Sequence, residues 1–544
     1  MKFLTNLLQP ALVYYRYKTK SDPFIKFKEI IADDKSSLIH DSKSKNVLIF
    51  PLRVDPTSNT FEGILGYALK EKGFSVKAVM CGQALGVCEN VNRGKNFSLH
   101  CSLCKAEQKR FSSNFGIDLV NLGTYVSAEQ NKLLKDKSRK IKIADIFTCN
   151  HNGVSIGKHI RHGVSRHLLA SNIDLDENEN LIREFLLTAM IIVEGTRAIL
   201  KESKPEFVVL SHGIYSTWGS VLEVCKTDGY PAVVWGRGYV GQGNIAAAHN
   251  ESYIFEGIHE GCSDWLNHSV SESAKRELDQ YFSNKKNPDS TVDHVNYYAE
   301  VGSDKGDIIE KLKLRRDSVK IGVYPNIPWD GTMFCATDDF PDMNAFVKSL
   351  VKWAVANPQV DILIRSHPAE AYRTTDLSME NFVDIFNMEV DRVPENIRII
   401  EPTSEITSYQ VAQLCDAALM YASSIALELA YDFQPVIQAG LNNASHKGFV
   451  FDAATEEDLF TLLDRVGEDD LHMTVAMRKR VVQYAYYWVK RRYMPETLMN
   501  LQHLTFQSYQ FGSAEELKIN NRMLDFFIDC CINKKRFIWP NEDA

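Results

Sequence analysis

No apolar run in this 544-residue chain approaches the roughly 18–20 residues that a membrane-crossing helix needs. The strongest candidate, Phe185 to Leu200, is interrupted by Glu194, Gly195 and Arg197. An excess of positive charge is also missing. The chain has 62 Lys and Arg against 70 Asp and Glu, a formal net charge of -8. That argues against a nucleic-acid binder held by bulk charge, so no nucleic-acid partner is expected, although a local basic patch stays open. Lys2, Pro10, Arg16 and Lys18 break up the first twenty residues, and no apolar core with a small-residue cleavage site is present. A secretory signal is therefore not expected. The 11 cysteines are an odd number and lack the overall spacing of a disulfide framework, which suits a reducing cytoplasm. Low-complexity segments and short repeats are absent.

What is present is ordinary globular composition, 44% hydrophobic and 24% charged, which excludes wholesale disorder. The length corresponds to two large domains, or three to four at about 150 residues each.

A strand–helix–strand rhythm organises most of the chain. Asn46 to Pro51 is a short apolar run closed by proline and reads as a buried strand. A helix over Gly63–Lys72 and a strand over Phe74–Met80 follow, and the rhythm resumes at Phe207–Ser211, the helix through Glu223 and Pro231–Trp235. Residues 262–316 are polar and rich in Asn, Ser, Asp and Lys. A second series then begins. Strands are expected at Val319–Tyr324, Val360–Arg365, Ile397–Ile400, Ala417–Met420 and Pro435–Ile437, with helices at Met343–Ala356, Ser408–Cys415 and Ser424–Tyr431. From Glu456 onward the chain reads as helical. The rhythm implies parallel sheets with right-handed crossovers. The expected organisation is an N-terminal extension (1–44), a Rossmann-like domain (45–316), a second Rossmann-like domain (317–465) and a helical C-terminal segment (466–544). Two doubly wound α/β domains of this kind would face each other across a cleft, with ligands beyond the carboxyl ends of the strands.

Chemistry-bearing residues concentrate at those strand ends. Arg365, His367 and Pro368 follow the strand ending at Arg365, and imidazole and guanidinium can both donate to phosphate. The plainer reading is a His-Pro turn that caps the sheet. Ser423 and Ser424 follow another strand and are expected at a helix N-terminus, where free N–H groups favour an anion. Glu428 lies one turn inside on the face of Ser424, placed to accept from ribose hydroxyls. Here too a plainer reading exists, an ordinary capping serine with an acidic first turn.

Ile400-Glu-Pro-Thr-Ser-Glu-Ile-Thr-Ser-Tyr409, with Asp416, Ser423-Ser424, Glu428, Pro435-Val-Ile437 and Gly440, resembles the C-terminal half of bacterial capsule-polysaccharide biosynthesis glycosyltransferases. The Arg365-Ser-His367-Pro368 element resembles their His-Pro motif. The likeness covers about 320–455 and is loose in the first half. It implies a GT-B fold, a nucleotide-sugar donor whose phosphate meets His367 and Ser423/Ser424, a base near Thr407, Ser408 and Tyr409, and a ribose at Glu428. Arg365 is counted with this donor-binding set. Polyol-phosphate polymerases that use a cytidine-diphosphate donor have a similar arrangement, and the resemblance leans toward a cytidine nucleotide.

Asp330, in Tyr324-Pro-Asn-Ile-Pro-Trp-Asp330-Gly331, resembles an acidic residue of transferases with Kdo donors and is a candidate general base. An exposed Asp-Gly turn is the plainer account. No strong Asp-x-Asp metal element appears in a matching place, where Asp338 and Asp339 are adjacent rather than spaced, so metal-independent transfer without a required cofactor is expected. In the first half, His212 is a second base candidate, and Tyr215, Trp218 and Arg237 are candidate acceptor contacts; a glycine-enabled turn with a capping Ser216 would explain the same residues. The run Trp235 to Gly243 lacks the dinucleotide fingerprint spacing.

Cys81, Cys88, Cys101 and Cys104 form C-x6-C-x12-C-x2-C, which admits a structural zinc site or, more commonly, buried free thiols. A redox motif is disfavoured because the segment does not read as a helix start. Met477 to Tyr493 is basic and aromatic, which suits either a membrane surface contacted by Arg478, Lys479, Lys490 and Arg491 or a packed C-terminal helix. The first alternative adds peripheral attachment at the inner face of the plasma membrane to a cytoplasmic location. The expected activity is an inverting transfer of a sugar from a nucleotide-sugar to a glycan or lipid-linked acceptor. A polyol-phosphate (CDP-glycerol type) transferase and a non-catalytic scaffold subunit of a capsule assembly complex are the rivals.

Overall fold

The structure, a computed structural model, describes residues 7–18, 21–32, 44–53, 55–238, 240–255, 264–267, 269–287, 305–331, 335–372 and 378–540. Most of the polar stretch Asp33–Lys45, and residues 288–304 of the expected polar connection, lie outside them. The chain forms two compact units. The first comprises Met1–Leu168, Ile173–Ile254 and Arg492–Ala544, the second Leu169–Asn172 and Phe255–Arg491.

The first unit is built on six strands: β1 (Asn46–Phe50), β2 (Ser75–Met80), β3 (Asp118–Asn121), β4 (Phe207–Ser211), β5 (Ala232–Arg237) and β6 (Ile245–His249). Their order is β3-β2-β1-β4-β5-β6, with β6 antiparallel to β5 and the others parallel. Near-continuous apolar runs suit strands covered on both faces. In register, Val47 faces Val76 on one side and Phe207 on the other. The helix Pro56–Glu71 starts where Asp55 accepts from the Thr57 and Ser58 amides and Pro56 presets the first turn. β3 and β6 were not expected. β3 is an edge strand with no buried residue, and β6 is mostly alanine, so neither carries a strong apolar pattern.

Residues after Arg492 complete this unit. The helical reading of the C-terminal region holds for Ala514–Asn520 and Arg522–Asn533. It is corrected at Met499–Gln502 and Thr505–Tyr509, which pair as an antiparallel hairpin. Met499, Phe506 and Phe527 share one apolar cluster with Phe24, Phe61 and Phe115 from the start of the chain. Hydrophobic burial therefore fixes this distant segment to the first sheet.

The second unit contains β7 (Lys320–Pro325), β8 (Asp361–Arg365), β9 (Ile397–Ile400), β10 (Ala417–Tyr421), β11 (Val436–Gln438) and β12 (Phe451–Asp452). They run parallel in the order β9-β8-β7-β10-β11-β12. Both sheets thus have the doubly wound Rossmann order, in which the crossovers reverse between the first and fourth strands. The fold class is α/β with two Rossmann-like units, GT-B-like in that respect, and a largely helical C-terminal region.

The basic aromatic segment packs within the second unit. Tyr484, Tyr486 and Tyr487 are buried, and the Tyr484 hydroxyl donates to the Asn443 carbonyl at 2.6 Å. Arg478 lies over the Phe433 ring, and Lys490 pairs with Glu277 at 2.5 Å. The tyrosines therefore cannot also sit at a lipid interface, which corrects that reading of the segment. Among the described residues no helix is long and apolar enough to cross a membrane.

Candidate functional site

In the second unit the reversal falls between β7 and β10, where the chains leaving their carboxyl ends part. After β7, Asn326 donates its amide to the Ala422 carbonyl at 3.3 Å, tying the two loops together. Trp329 is buried with Ile327, Leu169 and Ala369, and its indole N–H donates to the Ser378 hydroxyl at 2.8 Å. This anchors the turn in which Asp330 is half-buried and Gly331 has φ +76°.

After β10 the backbone turns on Ala422, whose φ of +61° is unusual for a residue with a side chain. Ser423 is buried and its carbonyl accepts from the Asn442 amide at 2.6 Å. Ser424 is exposed. The helix begins only at Ala426 and ends at Tyr431, with no side-chain cap at Ile425. The two serines therefore precede a short helix rather than capping it, because the left-handed turn takes up the residues expected to start it.

Glu428 is buried at this edge. One carboxylate oxygen accepts from the Tyr409 hydroxyl at 2.5 Å, and the other pairs with Lys285 at 2.9 Å. Lys285 ends the helix Glu272–Lys285 and was invisible to motif reading, since it lies in the polar connection. Thr407 and Gln410 form a capping box, so the Thr407 hydroxyl starts the helix Ser408–Ala412. Ser408 is buried, and its carbonyl accepts from the Tyr324 hydroxyl at 3.3 Å.

After β8, Arg365 is 2% exposed. Its guanidinium donates to the carbonyls of Ile406 (2.8 Å), Ser366 (2.6 Å), Glu401 (2.9 Å) and Ser404 (3.3 Å). It builds the turn that carries Thr407 to Tyr409 rather than pointing at an anion, which corrects its expected place among donor contacts. His367 is half-buried and accepts the Ala369 N–H on Nδ1 at 3.1 Å, with Pro368 buried beside it. A neutral imidazole so placed carries its proton on Nε2, able to donate.

Glu370, one turn further, is buried, with Oε1 unpaired. Burial pushes its carboxyl up to about 8. The raised value means that the folded state holds the proton more tightly than the unfolded chain. Its contribution is fully present below the ordinary carboxyl value of 4.5 and is lost as pH rises through about 8. Thermal unfolding of Glu370→Gln should therefore show a flatter decline across that interval than the parent protein. An unchanged pH slope would count against this assignment.

The first unit has its own polar cluster at the corresponding reversal, between β1 and β4. Arg53, after β1, donates to the Ser211 hydroxyl at 2.6 Å and to Glu62 at 3.0 Å. Its guanidinium lies 5.2 Å from the Trp218 ring and 5.4 Å from the Trp235 ring, within cation–π range. Glu62 is fully buried and also accepts from the Trp235 indole at 3.0 Å; burial raises its carboxyl despite Arg53. Arg237, at the end of β5, donates to the Gly243 carbonyl at 2.7 Å and pairs with Glu496 at 2.5 Å, while its Nε and Nη2 have no partner. Sequence reading missed Arg53, Glu62 and Glu496. Their partners are 158, 9 and 259 residues away along the chain, and no short motif records such pairs.

His212 and Gly213 both adopt positive φ, +55° and +68°, at the end of β4. The His212 ring lies 5.9 Å from Trp218 and 6.0 Å from Tyr253. Tyr215 is half-buried at the N-cap of the helix Ser216–Asp228. Trp218 is buried and donates its N–H to the Phe50 carbonyl at 3.0 Å, so packing rather than ligand stacking is its role. Ser216 is not the cap; its hydroxyl donates to the His159 carbonyl at 3.1 Å. The helix start is served instead by Glu89, which accepts the Thr217 N–H at 3.1 Å.

Cys101 and Cys104 lie in the helix Phe97–Phe115, capped by Asn96, so the C-x-x-C does sit near a helix start. Cys81 follows β2 and Cys88 lies in the intervening loop. Burial raises the Cys104 thiol well above its ordinary value, and neighbouring Cys81, Cys88 and Cys101 add to the shift. The Gln108 and Asn90 amides donate to the Cys104 and Cys88 sulfurs at 3.4 and 3.3 Å. Among the described residues no group of three or more His, Cys, Asp or Glu side chains has the arrangement of a metal site, and the described cysteines are free thiols.

No protein-family model and no curated protein matches the chain. Solved structures similar to it include the Thermosulfurimonas dismutans KpsC β-Kdo 2,4 transferase, at 10% identity over 51% of this chain and 79% of that one, with a TM-score of 0.33. The β-Kdo 2,7 transferase of the same protein gives 11% identity over 53% and 79%, with a TM-score of 0.31. S. aureus MnaA, in a co-structure with UDP, gives 9% identity over 91% and 100%, with a TM-score of 0.29. Strand order and register define the fold of both units.

Proposed function

We propose that the second unit binds the nucleotide of a nucleotide-sugar and that the protein is a glycosyltransferase of bacterial surface-polysaccharide synthesis. The observation that carries this reading is the buried Glu428, held by Tyr409 and Lys285 at the carboxyl edge of the second sheet, beside the turn at Ala422 where the crossovers reverse. A fixed carboxylate there is suited to accept from ribose hydroxyls. His367 Nε2 supplies a donor for the phosphate, and the exposed Ser424 a hydroxyl. Arg365 positions the loop that carries Tyr409. The cytidine preference and the capsule context rest on the motif resemblance alone.

In the reaction an acceptor hydroxyl attacks the anomeric carbon and the bond from that carbon to the phosphate oxygen breaks. The hydroxyl proton passes to Asp330 or His212, and the nucleotide leaves against His367. The first unit supplies the acceptor contacts, with Tyr215 and Arg237 the candidates.

Calorimetric titration of the purified protein with CMP, CDP, UDP and GDP tests the donor site. One nucleotide should bind. His367→Ala and Glu428→Gln should each weaken it by about tenfold or more, since a hydrogen bond with a charged partner contributes about 1.5–3 kcal/mol. Equal affinity in both variants, or no binding of any nucleotide, would favour the scaffold alternative. Phosphorus in the acceptor product would favour polyol-phosphate transfer.

A further inference from the structure

The helix Gln9–Tyr17 has one face on the first unit and one that the other described residues leave uncovered. On the inner face, Arg110 lies 4.7 Å from the Tyr17 ring and Arg16 pairs with Glu107 at 3.7 Å, which seats this helix on Phe97–Phe115. The outer face is apolar. Tyr14 is 69% exposed and Tyr15 81%, with Leu7 at 66% and Leu8 at 51% just ahead of them. Positions 7, 11, 14, 15 and 18 recur at helical spacing, so Leu7, Ala11, Tyr14, Tyr15 and Lys18 form one stripe.

The sequence around this stripe is basic on balance. Between residues 2 and 29 it has six Lys and Arg against two acids, Asp22 and Glu29, although the chain as a whole is at -8. Asp22 is engaged internally, capping the helix Pro23–Ile30 and pairing with Arg110. Lys18 and Lys28 are exposed. A stripe of leucine and tyrosine edged by lysine is the composition of a helix that lies in the plane of an anionic lipid surface, with tyrosines at the headgroup level. A second copy of the chain fits less well, because pairing two such faces would bring their lysines together.

We propose that the helix Gln9–Tyr17, with Leu7 and Leu8, is a docking surface for an anionic lipid bilayer. This assigns membrane contact to the first unit rather than to the basic aromatic segment around Arg478, and does not depend on the nucleotide reading above.

Flotation with vesicles of phosphatidylcholine alone and of phosphatidylcholine mixed with phosphatidylglycerol tests it, using the full chain. The protein should float with the mixed vesicles and remain in solution with the neutral ones. The exposed pair Tyr14→Ser/Tyr15→Ser, and separately Lys18→Glu, should each lower the bound fraction by about tenfold, consistent with binding that sums apolar burial and charge. Arg478→Glu/Lys479→Glu should float like the parent. Circular dichroism and light scattering on the same samples check folding and self-association. Failure of the parent to float, or flotation of both stripe variants at the parent level, would overturn the proposal. A dimer that the Tyr14/Tyr15 variant dissolves, without dependence on lipid charge, would overturn it in favour of a second copy.

Discussion

Replacing Arg365 by methionine is expected to destabilise the second unit by about 3–6 kcal/mol, as two hydrogen bonds from a charged donor to buried carbonyls contribute about 1.5–3 kcal/mol each. Those two run to Ser366 and Ile406, at 2.6 and 2.8 Å. The further bonds to Glu401 and Ser404 lie closer to solvent, and water can replace them. The loss should show in urea unfolding followed by a probe in the second unit, and the nucleotide affinity proposed for this unit should fall with it because the loop before Tyr409 loses its tether. Arg365→Lys should recover little, since one ammonium cannot reproduce the fork geometry. A variant with parental stability would mean that the turn is held by something other than the guanidinium.

The second large effect belongs to the first unit. Arg53→Met leaves Glu62 buried without its cation, and breaking a buried pair from one side costs about 3–5 kcal/mol. Burial already raises the Glu62 carboxyl while Arg53 lowers it, so removing Arg53 raises it further. The deficit should therefore be smallest at acid pH, where the carboxyl is protonated in both states, and should grow as pH rises. Arg53→Met/Glu62→Leu should recover most of the loss, apart from about 1–3 kcal/mol for the Trp235 indole left without its acceptor. Denaturation of the parent, Arg53→Met, Glu62→Leu and the double variant across pH gives the coupling energy. Additive losses would show that the two side chains do not act as a pair.

Much of the core of the fold was legible because buried parallel strands read as short apolar runs. Asn46–Phe50, Phe207–Ser211 and Ile397–Ile400 coincide with the expected strands, and Met343–Ala356 with the expected helix. β3 and β6 escaped because edge position and alanine remove that pattern. The Cys-x-x-Cys helix escaped because its first turns have no clean apolar face, with Leu99 exposed, Phe97 and Leu103 half-buried and Ser102 buried. At the candidate site the residue types were legible, but their hydrogen-bonding partners were not. Arg365 and Thr407 read as ligand contacts, and the structure engages one with carbonyls and the other in a cap.

The sequence by itself determined the two α/β series and the strand ends at which His367, Ser424 and Glu428 emerge, since burial period and turn chemistry are local properties. Only the tertiary structure decided that residues 492–544 close the first unit, that Lys285 and Tyr409 meet Glu428, and that Arg53 pairs with Glu62 while bonding Ser211. Those contacts depend on which apolar faces pack together. Packing joins residues whose separation along the chain leaves no local signature.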